Sequence, residues 1–193
     1  MDQPLKEIYS RIDELLGQKE QILVAIDGNC TAGKTTLARQ LQRLYDCNVF
    51  HMDEFFLQCH QRTPERYAQP GGNVDYERFH QEVLLPLTRG EEVSYRPYHC
   101  GTRQLLSPVA VPRKKLTIIE GTYSLHPHFA DPYDLKIFLH ISPEGQRRRI
   151  LLRPEHLHEP FFRTWIPMEQ LYFDTFRIRE HCHIVTGTED TCD

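Results

Sequence analysis

The chain has 193 residues, of which 39% are hydrophobic and 26% are charged, so it is long enough for one domain with a sizeable core. A formal net charge of −4 disfavours a protein held on nucleic acid by phosphate contacts, and no apolar run approaches the length of a membrane span. Six scattered cysteines without a C-x-x-C pair are typical of reduced thiols. We therefore expect a single cytoplasmic domain over residues 1–193, without nucleic-acid or membrane partners. Whether this domain forms a homo-oligomer stays open.

The first predicted elements surround a glycine-containing loop. Apolar residues at helical spacing predict an amphipathic helix over residues 5–16, and residues 22–26 form an apolar stretch typical of a buried parallel strand. Residues 28–35 then read Gly-Asn-Cys-Thr-Ala-Gly-Lys-Thr, which matches the pattern G-x-x-x-x-G-K-[ST]. A second helix is predicted over residues 36–44. Strand, loop and helix in this order are the context in which the pattern forms a phosphate-binding P-loop.

The P-loop predicts which groups bind a nucleotide. Its backbone N–H groups and the positive end of the following helix attract phosphate oxygens. Lys34 can reach the β- and γ-phosphates, and the Thr35 hydroxyl is a ligand for Mg²⁺. We therefore expect ATP and Mg²⁺ to bind here. The predicted nucleotide-binding residues are Gly28, Asn29, Cys30, Thr31, Ala32, Gly33, Lys34, Thr35 and Thr36.

Strands and helices alternate through the rest of the chain. Strands are predicted at residues 48–52, 116–119, 135–141 and 183–185, and helices at residues 75–87, 144–152 and 161–179. Residues 58–73 are polar and predict a long excursion, while residues 92–98 and 105–111 predict either a hairpin or two irregular strands. The alternation predicts an α/β fold of three layers around a mainly parallel sheet of five strands. In such folds ligands bind beyond the carboxyl ends of the strands.

Three acidic residues, Asp27, Asp53 and Glu120, lie at the ends of predicted strands and therefore at that edge. Asp53 is a candidate functional carboxylate, although an aspartate at this point could instead cap a helix. Glu120 is a candidate metal residue, because a carboxylate there faces the metal side of the loop. Phosphoryl transfer also needs positive charge beyond one lysine and Mg²⁺, and Arg153, at the end of a basic segment, is the predicted source.

Motifs separate the main classes of P-loop protein. A GTPase carries a D-x-x-G switch and an N-K-x-D motif, and a transporter ATPase carries an L-S-G-G-Q-like signature; the sequence contains none of the three. Motor ATPases usually need a larger chain. A short chain with a second acidic site opposite the P-loop predicts a kinase that phosphorylates the hydroxyl group of a small molecule.

Four further features resemble the uridine kinase and phosphoribulokinase family of P-loop kinases. Residues 53–56 match D-x-F-[YF], and residues 73–75 match N-x-D. An apolar strand ends in Glu-Gly at residues 120–121, and residues 146–153 are rich in arginine. The resemblance extends over most of the chain and implies the same three-layer P-loop fold, with a short lid that carries arginines.

The resemblance also implies roles for individual residues. Asp53 would accept the proton of the attacking sugar hydroxyl, Phe56 would pack near the nucleoside, and Asp75 would bind ribose hydroxyls. Asp75 also precedes an apolar helix, so a helix cap is an equal alternative. Glu120 would act near Mg²⁺, often through water, while the lid arginines would close over the phosphates.

The region that would read the base departs from the family pattern. Residues 95–99 read Tyr-Arg-Pro-Tyr-His, so Arg96 stands where uridine kinases usually have Asp, and the spacing is one residue shorter. Tyr95, His99 and Arg103 are predicted near the substrate. The predicted reaction transfers phosphate from ATP to the 5′-hydroxyl of a uridine- or cytidine-like nucleoside or of another riboside. Two alternatives stay open: a kinase of a non-nucleoside alcohol, such as pantothenate or a sugar acid, and a regulatory module that binds nucleotide without catalysis.

Overall fold

The computed structural model describes residues 3–187 of the chain. Its strands are β1 (Ile22–Gly28), β2 (Cys47–His51), β3 (Val93–Tyr95), β4 (Tyr98–His99), β5 (Gln104–Leu105), β6 (Val109–Val111), β7 (Leu116–Glu120), β8 (Leu135–His140) and β9 (Ile184–Gly187). Its α-helices are α1 (Gln3–Gln18), α2 (Lys34–Leu44), α3 (Pro64–Tyr67), α4 (Tyr76–Phe79), α5 (Leu85–Thr88), α6 (Pro143–Leu151), α7 (His158–Pro160) and α8 (Ile166–Phe176). Two wide π-helical segments, His80–Leu84 and Phe161–Trp165, join α4 to α5 and α7 to α8. None of the helices in this part of the chain is long and apolar enough to cross a lipid bilayer.

Five strands form the central sheet in the order β2-β7-β1-β8-β9, and every neighbouring pair is parallel. The middle strand, β1, is buried along its whole length, as expected for a strand that is covered on both faces. Parallel pairing aligns the carboxyl ends of β2, β7 and β1, because Glu120 lies opposite both His51 and Ile26. The segments that follow these three strands are thereby brought to one edge of the sheet.

Helices cover both faces of the sheet. On one face the apolar sides of α1 and α2 pack against the strands, in a cluster that includes Ile12, Leu41 and Ile118. On the other face α4, α5 and α8 cover the sheet, in a cluster that includes Phe79 and Phe173. The predicted three-layer α/β fold around a parallel five-stranded sheet is therefore confirmed.

The structure also resolves two ambiguities of the sequence. Residues 92–111, predicted as a hairpin or as two irregular strands, form a bent hairpin in which β3 pairs with β6 and β4 pairs with β5, both antiparallel. The single helix predicted over residues 161–179 ends at Phe176, because Arg177 adopts a left-handed conformation with φ of 47°. A non-glycine residue in that conformation ends the helix.

Candidate active site

The loop between β1 and α2 has a backbone that only particular residues can adopt. Gly28 has φ of 134°, and a Cβ atom there would lie 1.9 Å from the carbonyl oxygen of Leu139, so glycine is required. Thr31 and Gly33 have φ of 64° and 97°, and these left-handed residues reverse the chain before Lys34 begins α2. The end of β1 therefore turns tightly into a helix N-terminus, which is the geometry of an anion-binding site.

Lys34 lies inside this loop. Its side chain is buried, and Nζ donates hydrogen bonds to the carbonyl oxygens of Gly28 at 2.8 Å and Asn29 at 2.7 Å. Four of the predicted phosphate-binding amides already have acceptors within the protein: Gly28 donates to Asp27, Asn29 to Leu139, Cys30 to Glu169 and Ala32 to Asn29. The amides of the first turn of α2 have no intrahelical acceptor. Those amides lie next to the lysine ammonium group and can therefore donate hydrogen bonds to a phosphate.

The two predicted Mg²⁺ residues lie together beside the loop. The Thr35 hydroxyl donates to Glu120 Oε1 at 3.0 Å, and His51 Nδ1 lies 2.5 Å from the same oxygen. The Glu120 carboxylate is buried, and its hydrogen bond raises the pKa of His51. Residues 3–187 contain no group of three His, Cys, Asp or Glu side chains able to hold a metal by themselves. Hydroxyl and carboxylate oxygens nevertheless suit Mg²⁺, which is commonly held by one or two carboxylates with substrate phosphates and water.

Asp53 lies near Glu120 and Lys34, in the space beside the P-loop that is called the cleft below. It belongs to the 3-10 turn that follows β2; the residue as a whole is exposed, while its carboxyl group is crowded by surrounding protein atoms. This crowding, and then the negative charge of Glu120, raise the pKa of Asp53. Three positive groups oppose the shift: Lys34, His51 and Arg153. The 3-10 turn has no side-chain cap, so Asp53 is held at the cleft without capping it.

Two arginines of the basic segment approach the loop and the cleft. Arg149 donates from Nη1 to the carbonyl oxygen of Thr31 at 2.9 Å, which links α6 to the P-loop. Arg153 follows α6, is exposed, and lies over the ring of Phe161 at 5.0 Å from its centre. Its charge acts on Asp53, so it lies within electrostatic reach of the cleft. That Arg153 contacts the phosphates stays a prediction.

Asp75 is the helix cap that was the alternative to a ribose ligand. Its buried carboxylate accepts a hydrogen bond from the amide of Arg78 at 3.1 Å, as the N-cap of α4, and lies 3.4 Å from Arg78 Nε. A role toward ribose would require these contacts to be exchanged. Phe56 is half-buried, and its backbone pairs with that of Val74. That Phe56 packs on a nucleoside stays a prediction.

The other three residues predicted near the substrate lie in different surroundings. Tyr95 is buried, stacks on Phe55 with 5.4 Å between ring centres, and donates from its hydroxyl to Glu54 at 2.6 Å. Its ring and hydroxyl are therefore engaged in the core, because the strand that carries it turns this side chain inward. His99 ends β4, and Arg103 immediately precedes β5; both are exposed where the two strands turn.

A basic pocket adjoins this turn. The open cavity, of about 460 Å³, has two arginines and no carboxylate among its lining residues, which are Gln58, Cys59, His60, Arg96, Arg103, Gln104 and Leu105. Cys100, in the same turn, lies within electrostatic reach of Asp53. Burial raises the pKa of Cys100, and the negative charge of Asp53 adds to this effect. The turn that adjoins the basic pocket is therefore close enough to Asp53 to sense its charge.

Two buried carboxylates, Asp27 and Glu169, accept hydrogen bonds from backbone amides of the P-loop. Asp27 accepts hydrogen bonds from the amide of Gly28 at 2.7 Å and from the hydroxyl of Tyr172 at 2.9 Å, and burial raises its pKa to about 6. Glu169 accepts a hydrogen bond from the amide of Cys30 at 2.9 Å. Asp27 was recognisable from its place at a strand end, whereas no motif singled out Glu169.

Several solved structures share the fold of this chain. One is a protein named as a possible uridine kinase from Bacillus stearothermophilus, which is 21% identical, with a TM-score of 0.67 over 93% of this chain and 99% of that one. Another is YFH7 from Saccharomyces cerevisiae, a candidate P-loop kinase with a circular permutation, which is 12% identical, with a TM-score of 0.61 over 96% of this chain and 98% of that one. No protein-family model matches the sequence, and no curated protein matches it significantly.

The chain therefore shares the fold of these two solved structures. In this fold the loop, Asp53 and Glu120 lie at the edge of the sheet formed by the carboxyl ends of β1, β2 and β7. At identities of 21% and 12% the likeness establishes the architecture. The chemistry follows from the residues at that edge.

Proposed function

We propose that this protein is an ATP-dependent kinase that phosphorylates a hydroxyl group of a small molecule. The observation that carries the proposal is the convergence of phosphate-binding, metal-binding and proton-accepting groups at one edge of the sheet: Lys34, Thr35 with Glu120, and Asp53. Phosphoryl transfer needs these three functions close together. A module that only binds nucleotide would have no use for a carboxylate on the acceptor side.

Each residue has a role that follows from its chemistry. Lys34 and the amides at the start of α2 bind the β- and γ-phosphates and stabilise negative charge on the transferring group. Thr35 and Glu120 would hold Mg²⁺, which neutralises further phosphate charge when it is bound. Asp53 accepts the proton of the attacking hydroxyl, and its raised pKa brings it closer to the pH at which a general base is most effective. Arg153 would approach the phosphates from the lid. In-line positioning of the attacking hydroxyl and the γ-phosphate supplies most of the rate acceleration.

A nucleoside or another riboside is the acceptor that the family resemblance favours, with its 5′-hydroxyl toward the catalytic aspartate. The D-x-F-F motif of residues 53–56 supports this choice, as does the shared fold with a protein named as a possible uridine kinase. His99 and Arg103 remain exposed for contact with such a molecule. Asp75 would take part only if ribose replaced its bonds to Arg78.

An alcohol that carries an anionic group is the second candidate acceptor, and the basic pocket favours it. Arg96 stands where uridine kinases usually have Asp, so a positive charge replaces a base-reading carboxylate. Arg96 and Arg103 line the pocket without an acidic neighbour among its lining residues. Guanidinium groups bind carboxylates and phosphates through paired hydrogen bonds. Pantothenate and sugar acids offer a hydroxyl together with such a group.

An acceptor screen tests both candidates. Purified protein with ATP and Mg²⁺ is given one acceptor at a time, and ADP and the phosphorylated product are measured. Nucleosides are represented by uridine, cytidine and nicotinamide riboside, and anionic alcohols by pantothenate and gluconate beside neutral pantothenol and glucose. Turnover of neutral nucleosides supports the first candidate. Turnover of only the anionic members, weakened in Arg103→Gln, supports the second, whereas tight ATP binding with no product on any acceptor would overturn the kinase proposal.

A further inference from the structure

Glu169 is a buried acid for which the proposed transfer reaction has no use. It lies on α8, is 2% exposed, and reaches the P-loop from the opposite end of the chain. A buried carboxylate is unfavourable unless hydrogen bonds satisfy its oxygens. Here one oxygen accepts from the amide of Cys30 at 2.9 Å and the other from Gln146 Nε2 at 2.7 Å, with Asn29 Nδ2 more distant at 3.5 Å. Both oxygens are therefore satisfied by the loop and by α6.

The contact falls on the middle of the loop, at Cys30. Lys34 holds the carbonyl oxygens of Gly28 and Asn29, and α2 holds the far side of the loop from Gly33 onward. Cys30 lies between these two anchored parts. Glu169 accepts the hydrogen bond of the Cys30 amide. Gln146 Nε2 lies 3.3 Å from the Cys30 carbonyl oxygen and 3.1 Å from the Cys30 sulfur. The middle of the loop is thereby tied to two helices.

A second residue on the same side of α8 supports the other end of the loop. Tyr172 lies three positions after Glu169, so the two side chains leave the same face of the helix. The Tyr172 hydroxyl donates to Asp27 at 2.9 Å, and Asp27 accepts from the amide of Gly28 at 2.7 Å. α8 therefore contacts the loop near its first glycine and at its middle.

We propose that Glu169 is a positioning residue of the nucleotide site. It holds the segment of the P-loop around Cys30, called the Cys30 limb, in its phosphate-binding conformation, and α8 thereby contributes to that site. The inference rests on the proposed binding of ATP. Its physical basis is preorganisation: a loop that is already ordered loses less conformational entropy when it binds a phosphate. Releasing the limb should weaken ATP binding more than it slows the transfer step, since the groups that face the acceptor are unaffected.

Glu169→Gln is the direct test because it replaces one carboxylate oxygen by an NH2 group and changes the volume little. Its amide oxygen can still accept from Cys30, but its amide nitrogen then faces the donating nitrogen of Gln146. A matched control is Asp174→Asn, which removes a carboxylate charge from an exposed position on the same helix. If Glu169→Gln does not fold, Glu169→Asp takes its place. It keeps the charge but is too short to reach the loop amide.

Two measurements separate positioning from simple structural support. We expect the KM for ATP to rise about tenfold or more in Glu169→Gln, which is the effect of losing one hydrogen bond to a charged group. We expect kcat to fall by less than about threefold. The second measurement is the alkylation rate of Cys30 by iodoacetamide, read by peptide mass mapping without nucleotide. Burial raises the pKa of the Cys30 thiol to about 12 and the Glu169 charge adds to this, so its reaction should become several-fold faster, with buried Cys47 as the unchanged reference.

The results distinguish this inference from the kinase proposal. A higher KM for ATP and faster Cys30 alkylation, with Asp174→Asn unchanged, support a positioning role. A lower melting temperature with unchanged KM and unchanged Cys30 alkylation would overturn it, because Glu169 would then only stabilise the fold. If the parent protein binds no ATP, the kinase proposal fails, while unaltered Cys30 alkylation in Glu169→Gln would still overturn the link between Glu169 and the loop.

Discussion

Lys34 places its ammonium group on a buried side chain at the centre of the P-loop. Lys34→Met keeps an apolar stem of similar length but removes that charge. We expect a folded protein whose kcat is lower by about a hundredfold or more, because charge stabilisation in the transition state is lost. Turnover assays with circular dichroism as the folding control make the measurement. Near-normal turnover would exclude the P-loop from the mechanism.

Asp53 distinguishes a kinase from a protein that only binds ATP. Asp53→Asn keeps the size of the side chain and removes its ability to accept a proton. General-base contributions are about a hundred- to ten-thousand-fold, so kcat should fall on that scale while ATP affinity changes little. The parallel measurements are kcat, ATP affinity by titration and melting temperature. An unchanged kcat would remove Asp53 from the proton-accepting role and, with it, much of the support for a nucleoside acceptor.

His126 makes the stability of the fold depend on pH. Burial lowers its pKa to about 4 from the ordinary histidine value of 6.5, so the folded protein keeps this ring neutral at neutral pH. As the pH falls from about 6.5 toward about 4, the unfolded chain takes up a proton there and the folded chain does not, which lowers stability. The loss is at most about 3 kcal/mol from this ring.

His126→Asn tests this effect, because the asparagine can still accept the hydrogen bond that the amide of His128 donates. Urea unfolding at pH 7 and pH 4.5 gives the free energy of unfolding of each protein. The parent should lose more stability between the two pH values than the variant does. Equal losses would show that His126 is protonated in the folded state.

At the scale of elements, the junction of β1 with the P-loop depends on one glycine. Gly28→Ala would place a methyl group 1.9 Å from the Leu139 carbonyl oxygen in a backbone conformation that alanine rarely adopts. We expect this variant to unfold or to lose several kcal/mol, since β1 and β8 must separate there. Gly17→Ala is the matched control, because no neighbour lies within 4 Å and the position is helical. It should gain about 0.5–1 kcal/mol. Equal urea midpoints for the two variants would contradict the predicted clash.

The type and order of the main elements were easier to predict from the sequence than the residues at which the elements end. Periodic apolar residues encode the longer strands and helices locally, which is why the five strands of the central sheet and the main helices were predicted in the right order. The short helix α3, inside the predicted excursion, was missed. The late helix was the exception, because its end at Phe176 depends on a left-handed residue that no periodic pattern reveals. The bent hairpin was ambiguous because its four short strands become defined only when they pair.

For the whole molecule, the proposed reaction should require a divalent metal. Thr35 and Glu120 supply hard oxygen ligands at the edge of the sheet, and phosphate oxygens of ATP are of the same kind. Activity should disappear with EDTA and return with Mg²⁺ or Mn²⁺, as measured by ADP formation. Activity that survives chelation, or stoichiometric zinc in the purified protein, would contradict this assignment.

The sequence by itself determined the P-loop, the parallel α/β architecture and the acidic residues at the strand ends. These features depend on residues that are close together in the chain, so spacing alone reports them. It also identified both Thr35 and Glu120, because each belongs to a local motif. The structure then placed them 3.0 Å apart.

Only the tertiary structure decided what surrounds those residues. Glu169 contacts Cys30 across 139 positions of sequence, and His51 meets Glu120 because β2 and β7 pair in one particular register. Tyr95 turned out to be engaged in the core, and Asp75 turned out to cap a helix. Such contacts depend on how layers pack and strands align. Residues far apart in the chain leave no common pattern from which that packing could be read.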